Sequence, residues 1–353
     1  MLRLVYHSLA NTYKSNKISM ELIVKKEGFS EDFKDKLGFV DSDMAFNRIK
    51  PSLEIATDEI IDIITKKNYN QVISKLFPPE VVPETEITEN QDLEPENPKP
   101  DFNSLSEDLK NDFIDLIKYA IYMKASILCL PIGDLSVGNN GRTMRRDDHN
   151  VAAFPWQIDK HDENLEQLYY RHLDRLLRFM FENDLQVNQK KYDYKNLLVN
   201  SIDVFETHFD INGSRLLYLK LLPAMREAER LMILSRTGEE IFNQIKEEPD
   251  SDLAFLVKKC LVNSAMIWGI YRLNLQLFPK GLLQQEKDYS NKKQADPVQR
   301  QGLALVFERD LDKNLEELEK QISILQTPQI PQEEREFQLP EIGFNKDDSF
   351  VDL

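Results

Sequence analysis

Apolar residues recur at helical spacing between His161 and Asn183, and this is the clearest pattern in the chain. The apolar positions are Leu165, Leu168, Leu173, Leu176 and Met180, with Tyr169 and Leu177 beside them. The other side carries charged residues, namely Glu163, Glu166, Arg171, Arg175 and Arg178. Such a stripe is typical of a long amphipathic helix that buries one face.

Similar spacing predicts helices upstream of this stretch. A helix from Asp43 to Ile64 is interrupted or bent near Pro51, and a short helix follows from Asn68 to Leu76. An N-cap signature at Ser106-Glu107-Asp108 precedes Leu109–Leu130, which is apolar on most sides. We therefore expect this third helix to lie at the centre of a bundle.

The same order of elements begins again after residue 195. The corresponding strings are Pro51–Ile60 and Pro223–Met232, Tyr69–Val72 and Phe242–Ile245, Ile117–Ile127 and Val257–Ile267, and Asn164–Leu168 and Asn314–Leu318. Amphipathic helices resemble one another in general, but the shared order favours a tandem duplication of about 140 residues. On this interpretation Leu165 and Leu315 occupy equivalent buried positions.

Breaks in composition divide the chain into four predicted segments. Residues 1–40 form an N-terminal segment without a clear pattern, although Ser30-Glu31-Asp32-Phe33 could open a helical turn. A first helical repeat covers 41–187 and contains a proline-rich acidic linker at 77–101. A second repeat covers 188–325, and an extended arm covers 326–353. The predicted fold class is mainly α, a tandem-duplicated helical bundle with an extended acidic linker and a C-terminal arm.

The formal net charge of −16 is concentrated in the linker and the arm. Residues 77–108 hold ten acidic residues against Lys99 alone, and residues 326–353 hold seven against Arg335 and Lys346. The remaining chain is nearly neutral, which argues against a dedicated nucleic-acid binder because such a protein needs a basic surface. With only 11 glycines and 41% hydrophobic residues, the composition favours helices with real cores.

The two cysteines and the apolar segments indicate the redox compartment of the protein and whether it spans a membrane. Cys129 and Cys260 both lie in apolar helical stretches, which favours two buried free thiols over a disulfide in a reducing compartment. The N-terminus lacks the apolar core of a signal peptide. No window approaches 18 uninterrupted apolar residues, so we expect no membrane span.

No motif of an enzyme class stands out in the sequence. The chain has no HExxH, CxxC, GxSxG or Walker pattern, and the glycines of the loop after Pro131 are better explained as a flexible polar loop than as a phosphate cradle. His149, His161 and His172 lack the spacing of a metal site, so surface or helix-cap roles are favoured. We predict no catalytic residue, no metal site and no cofactor, and hence no enzyme.

Short basic and aromatic features suggest contacts with partners. Arg142, Arg145 and Arg146 form a loop that could face a partner or DNA, although Asp147 and Asp148 balance it. We expect Trp156 to fasten this loop onto the bundle and Trp268 to lie in the core. The arm carries spaced apolar residues among prolines and acids, which is typical of a segment that docks on a partner; these anchors are Phe337, Leu339, Ile342, Phe344 and Phe350.

Four segments together resemble an uncharacterised family encoded by phages and prophages of Bacteroidota, of the head–tail connector (adaptor) type. They are Phe46–Leu76, Leu109–Leu130, the glycine-and-arginine loop Gly133–Arg146, and Phe154–Asn183, within a resemblance that extends over residues 41–325. In such families one helical unit is similar to each half of this chain. The acidic linker and the aromatic arm depart from a minimal connector.

The resemblance implies a structural protein of a phage virion, a subunit that assembles as a ring at the portal. Its implied partners are further copies of itself, the portal and other tail or neck proteins, with no membrane and at most incidental contact with DNA. The implied location is the virion, assembled in the cytoplasm of the host bacterium. The alternative is a bacterial scaffold or adaptor that binds a partner through its extended arms.

Overall fold

The structure is a computed structural model, and it describes residues 21–40, 43–78, 100–133, 135–138, 141–144, 154–188, 192, 194–274, 277–279, 282 and 297–326. Within these residues the fold is mainly α-helical, as the sequence predicts. Residues 1–20, most of the linker and the arm beyond Gln326 lie outside the described residues. Of the segment between residues 134 and 153, only the backbone of two short strands is described.

The first helical series is built around one buried helix. Its elements are α1 (Phe29–Leu37), α2 (Phe46–Ile64), α3 (Lys66–Leu76), a 3₁₀ turn (Phe102–Ser104), α4 (Glu107–Gly133), β1 (Leu135–Gly138), β2 (Gly141–Met144) and α5 (Pro155–Glu182). Helix α4 packs between α2 and α5, which confirms its predicted central place. Helix α2 runs through Pro51, so of the two predicted effects of this proline, interruption or bending, the interruption does not occur.

The second helical series also packs around a buried helix of its own. Its elements are α6 (Ile202–Glu206), α7 (Arg215–Ala228), a π-helical turn (Glu229–Ile233), α8 (Leu234–Glu247), α9 (Asp252–Arg272) and α10 (Pro297–Gln326). Helix α9 packs between α7 and α10, as α4 does between α2 and α5. Helix α10 begins well before the predicted start at Asp312.

The loop predicted after α4 contains a β-hairpin. Strands β1 and β2 pair antiparallel, with Val137 opposite Arg142 and Gly138 opposite Gly141. Residues 135–138 and 141–144 therefore form strands where the sequence predicted a loop. Four-residue strands are too short to produce a convincing alternation of apolar and polar positions.

Positions that the sequence paired between the two series have similar degrees of side-chain burial. Every position from 117 to 129 in α4 has the same degree of burial as the position 140 residues later in α9. Positions 51–59 in α2 match positions 223–231 in the same way, at an offset of 172. These agreements support the predicted duplication, which a superposition of the two series would test.

A π-helical turn accounts for a change of offset within the second series. Thr65, between α2 and α3, has φ 75° and ψ 147°, and Gly238, 173 residues later, has φ 72° and ψ 170°. The offset thus rises from 172 to 173 across Glu229–Ile233. A π turn holds one more residue than an α turn, which is the difference observed.

The last helices do not follow the register that the sequence suggested. Leu165 is 3% exposed and Leu168 is 37% exposed, whereas Leu315 is half-buried and Leu318 is fully buried. The prediction that Leu165 and Leu315 are equivalent buried positions is therefore wrong. A five-residue string is short enough to recur by chance in amphipathic helices.

The N-terminal helix α1 docks on α4 through aromatic rings and one carboxylate. The rings of Phe29 and Phe33 lie 6.0 Å and 5.2 Å from the ring of Tyr122. Tyr122 donates a 2.5 Å hydrogen bond to Asp32 Oδ2, and Lys118 Nζ lies 3.3 Å from the same oxygen. The helical turn predicted at Ser30 is confirmed as part of this helix.

Side chains of α3 hold the two ends of the acidic linker together. Asn68 Oδ1 accepts a hydrogen bond from the backbone N–H of Phe102, and Asn68 Nδ2 donates to the carbonyl oxygen of Ile64. Gln71 Nε2 donates to Asp101 Oδ2 at 2.9 Å. Lys75 pairs with Glu107 at 2.5 Å, and together with Lys110 it lowers the pKa of Glu107 to about 2. The chain therefore returns from the linker to a fixed place.

The segment between the two series is packed rather than solvated. Leu185, Val187 and Tyr192 are each 5% exposed or less, although polar residues dominate the sequence around them. Asp174 of α5 caps α7, because its carboxylate accepts hydrogen bonds from Leu216 N–H at 2.8 Å and Ser214 Oγ at 3.1 Å. The buried side chains of both series form one continuous hydrophobic cluster.

Helix α9 is long and apolar enough to cross a membrane by length and composition, and no other described helix is. In the fold, 61% of its most apolar window is buried. Packing against α7 and α10 therefore accounts for its apolar character. Trp268 on this helix is half-buried, with Arg272 5.2 Å from its ring, so the prediction of a core tryptophan is wrong.

Candidate interaction surfaces

The described residues contain no group of histidines, cysteines and carboxylates that could hold a metal ion. His161 is exposed on α5, in edge contact with the ring of Phe39 at 6.3 Å. His172 is stacked on Tyr119 at 3.7 Å, and burial together with Arg175 lowers its pKa. The Nδ1 atom of His161 lies 3.9 Å from Asp162 Oδ1, a contact between neighbouring residues at the surface.

Glu229 is a buried carboxylate that the sequence reading missed. It lies in the first position of the π-helical turn, is 7% exposed, and accepts a hydrogen bond from Leu198 N–H at 3.3 Å. Burial raises its pKa. Its role is structural, because it satisfies the backbone of the segment that leads into α6. The residue at the corresponding position of α2, 172 residues earlier, is Thr57, which is also polar and buried. Comparison with α2 could therefore have indicated that Glu229 is buried.

Both cysteines are free and buried, as the sequence predicts. Burial raises the pKa of Cys129, and it raises the pKa of Cys260 to about 12. A thiol with a raised pKa is protonated at neutral pH and is a poor nucleophile.

Large apolar side chains remain exposed where the hairpin joins α4 and α5. Contacts between Phe113 and Phe179 and between Tyr119 and His172 show that α4 and α5 run antiparallel. That register places the end of α4 level with the start of α5. We call this the first tip, defined by Phe39, Ile132, Phe154 and Trp156, which are 37%, 74%, 61% and 48% exposed.

The second series exposes apolar side chains at its corresponding end. Arg300 Nη1 donates a hydrogen bond to the carbonyl oxygen of Ile270, so the end of α9 adjoins the start of α10. Tyr271 and Val298 lie there and are 47% and 70% exposed. We call this pair the second tip. Both tips therefore combine the end of a central helix with the start of the next long helix.

A basic strip follows the outward side of α5. Arg171, Arg175 and Arg178 are all exposed, at helical spacing, and none makes an ion pair with another described residue. Leu168 is exposed one turn before them. We call these four residues the arginine face. Leu168 was predicted to be buried, but it lies at the edge of the apolar stripe. Sequence periodicity does not show whether a residue at such an edge is buried or exposed.

The predicted partner-binding residues fall largely outside the described part of the chain. Phe337, Leu339, Ile342, Phe344 and Phe350 of the arm, and Arg145 and Arg146 of the basic loop, all lie outside it. Arg142 lies on β2, opposite Val137. Trp156, predicted to fasten the loop onto the bundle, is instead exposed at the first tip.

One protein-family model matches this chain, over residues 60–196 and 220–323. The first match covers most of the first helical series, and the second covers most of the second. No curated protein and no solved structure matches. Because the two matched segments make up more than half of its length, the chain belongs to the family of unknown function DUF6712.

Proposed function

We propose that this protein is a structural subunit of a phage virion, a head–tail connector or adaptor that assembles as a ring at the portal. The proposal combines the resemblance of residues 41–325 to connector-type phage proteins with the surface of the fold. A ring subunit must present apolar surface that only a neighbouring molecule covers.

The single observation that carries the proposal is the exposure of large apolar side chains at both tips. Ile132, Phe154 and Val298 are each more than 60% exposed, although they lie beside well-packed helices. Burying one such side chain against a partner contributes roughly 1.5–3 kcal/mol. Clustered apolar residues on an otherwise charged surface are typical of a protein–protein interface.

The experiment is sedimentation velocity of the full-length protein, followed by electron microscopy of any assembly. We expect concentration-dependent association and closed rings. Ile132→Ser with Phe154→Ser should reduce association, because both remove apolar surface from the first tip. Ile55→Ser with Leu231→Ser is the matched control, since these apolar residues are also exposed but lie away from both tips.

The outcomes separate the proposal from its alternative. A protein that stays monomeric at all concentrations, alone and with a portal protein, would contradict the connector proposal. Defined complexes without rotational symmetry would favour a scaffold or adaptor of another assembly. A portal gene beside the gene for this chain would support the connector function independently.

A further inference from the structure

The arginine face concentrates positive charge on one exposed side of helix α5. The stretch from Arg171 through Arg175 to Arg178 is about 10 Å long at 1.5 Å per residue. Leu168 lies one turn before Arg171. The carboxylate of Asp174, within the same stretch of α5, accepts hydrogen bonds from Ser214 and Leu216, and the charge of Arg178 also acts on it. The face therefore offers three cationic groups and one apolar side chain to a partner.

The C-terminal arm has the complementary composition. Glu333, Glu334 and Glu336 flank Arg335 and precede Phe337, so residues 333–337 have three acidic residues against one basic one, and the whole stretch from 326 to 353 has seven against two. In an extended chain, Glu333 to Glu336 covers about 10 Å, the same length as the three arginines. If the arm runs antiparallel to α5, Phe337 reaches the level of Leu168 along the helix, on the side of the extended chain opposite to Glu334 and Glu336. Arginine also stacks favourably on aromatic rings.

The apolar groove closest to the start of the arm is a poorer receptor for it. This groove is lined by Ile245, Leu253, Ile324 and Leu325, where α10 ends. Its charged lining residues are Glu248 and Asp252, which repel an acidic segment. Charge thus disfavours docking of the arm beside its own exit and favours the arginine face.

We propose that residues 333–337 of one copy bind the arginine face of a neighbouring copy. This inference rests on the proposed function and deepens it by naming both sides of one subunit contact. An arm that binds the next subunit makes a head-to-tail contact, and repeated contacts of this kind close a ring.

The test compares three full-length variants by sedimentation. The face variant is Arg171→Gln, Arg175→Gln, Arg178→Gln, and the arm variant is Glu333→Gln, Glu334→Gln, Glu336→Gln. We expect each to raise the dissociation constant of assembly by about tenfold or more, from the loss of three ion pairs. Added salt should weaken wild-type assembly but affect the two variants much less. The control, Arg230→Gln, Arg309→Gln, Lys313→Gln, removes the same charge elsewhere and should assemble as the wild type does.

Mixing the two variants shows whether the contact joins different copies. The face variant keeps an intact arm, and the arm variant keeps an intact face, so the mixture should form one-to-one dimers but no larger rings. Circular dichroism should show unchanged helix content, because glutamine and arginine have similar helix propensities. If the mixture stays monomeric, the arm binds its own copy and the proposal is wrong.

Two further results would overturn the inference without touching the proposed function. Wild-type-like assembly of the face variant would show that other surfaces hold the ring. Binding of a DNA oligonucleotide that is lost in the face variant, with assembly unaffected, would assign the face to nucleic acid instead. Failure of the wild type itself to assemble would contradict the proposed function.

Discussion

Two single residues redirect the chain through backbone angles that most residues avoid: Thr65 lies between α2 and α3, and Gly238 lies at a kink within α8. Gly238 and Thr65 both have φ near +70°, with extended ψ values. Glycine adopts this conformation without a steric penalty, whereas a residue with a Cβ is strained there. Thr65 is compensated in part because its side chain accepts a hydrogen bond from Asn68 N–H.

We expect Gly238→Ala to lower the free energy of unfolding by roughly 1–3 kcal/mol, because of backbone strain alone. No atom lies within 4 Å of the added Cβ, so a clash does not contribute. The control is Gly302→Ala, which lies inside α10 with equally open space and should stabilise the protein slightly. Chemical denaturation measures both, and equal effects of the two substitutions would contradict the argument.

Asp174 joins the two series through a half-buried carboxylate. Burial raises its pKa despite the hydrogen bonds from Leu216 and Ser214. A carboxyl group whose pKa is raised in the folded state stabilises the fold fully below its unfolded pKa. That contribution is lost as the pH rises through the folded pKa.

Wild type should therefore lose stability relative to Asp174→Asn as the pH is raised from about 4 towards neutral. The amide still accepts the Leu216 hydrogen bond but carries no charge to desolvate. Denaturant unfolding of both proteins at several pH values measures this difference. If instead the free energy of unfolding of the wild type rises relative to that of the variant as the pH rises, the hydrogen bonds to Asp174 outweigh the effect of its burial.

Among the elements, the π-helical turn is the clearest difference between the series. It holds one additional residue between α7 and α8, at a place where α2 continues as a regular helix. Leu231 lies within it and is 64% exposed. An inserted residue in a duplicated helix would produce this arrangement.

Deletion of Leu231 should convert the turn to regular α-helix and leave stability within about 1 kcal/mol of wild type. The downstream residues keep their buried faces because the register then matches that of α2. Deletion of Asp58, an exposed residue of α2, is the control. It rotates the rest of that helix by about 100° and should cost about 3 kcal/mol or more. Thermal melting compares the two, and equal losses would argue against an insertion.

Long periodic helices were predictable from the sequence, whereas short or edge features were not. The central helices α4 and α9 were identified because each has many apolar positions over a long stretch. The prediction of such a helix does not depend on any single residue. The hairpin was missed because its strands are short and glycine-rich. Trp156 and Leu168 were misjudged because periodicity locates a stripe but not its edges. The exposed tips depend on how antiparallel helices align, which is a tertiary property.

For the whole molecule, the arm and the folded part should be separable. The arm carries its apolar residues among prolines and acids, a spacing too sparse for a core of its own. We expect a chain ending at residue 326 to keep the helix content and melting temperature of the full-length protein, but to assemble more weakly. Circular dichroism and sedimentation measure the two properties. Unfolding of the shortened chain would place the arm in the core of the monomer.

Because both ends of the acidic linker are held in place, we expect the protein to tolerate residues inserted between them. Asn68, Gln71 and Lys75 hold the returning chain at Asp101, Phe102 and Glu107 whatever lies between. Doubling the length of a flexible loop costs only about 0.6 kcal/mol in closure entropy. The site between residues 79 and 99 is therefore suited to carry a whole inserted domain, such as a fluorescent reporter with adjacent termini, without disturbing the helices on either side.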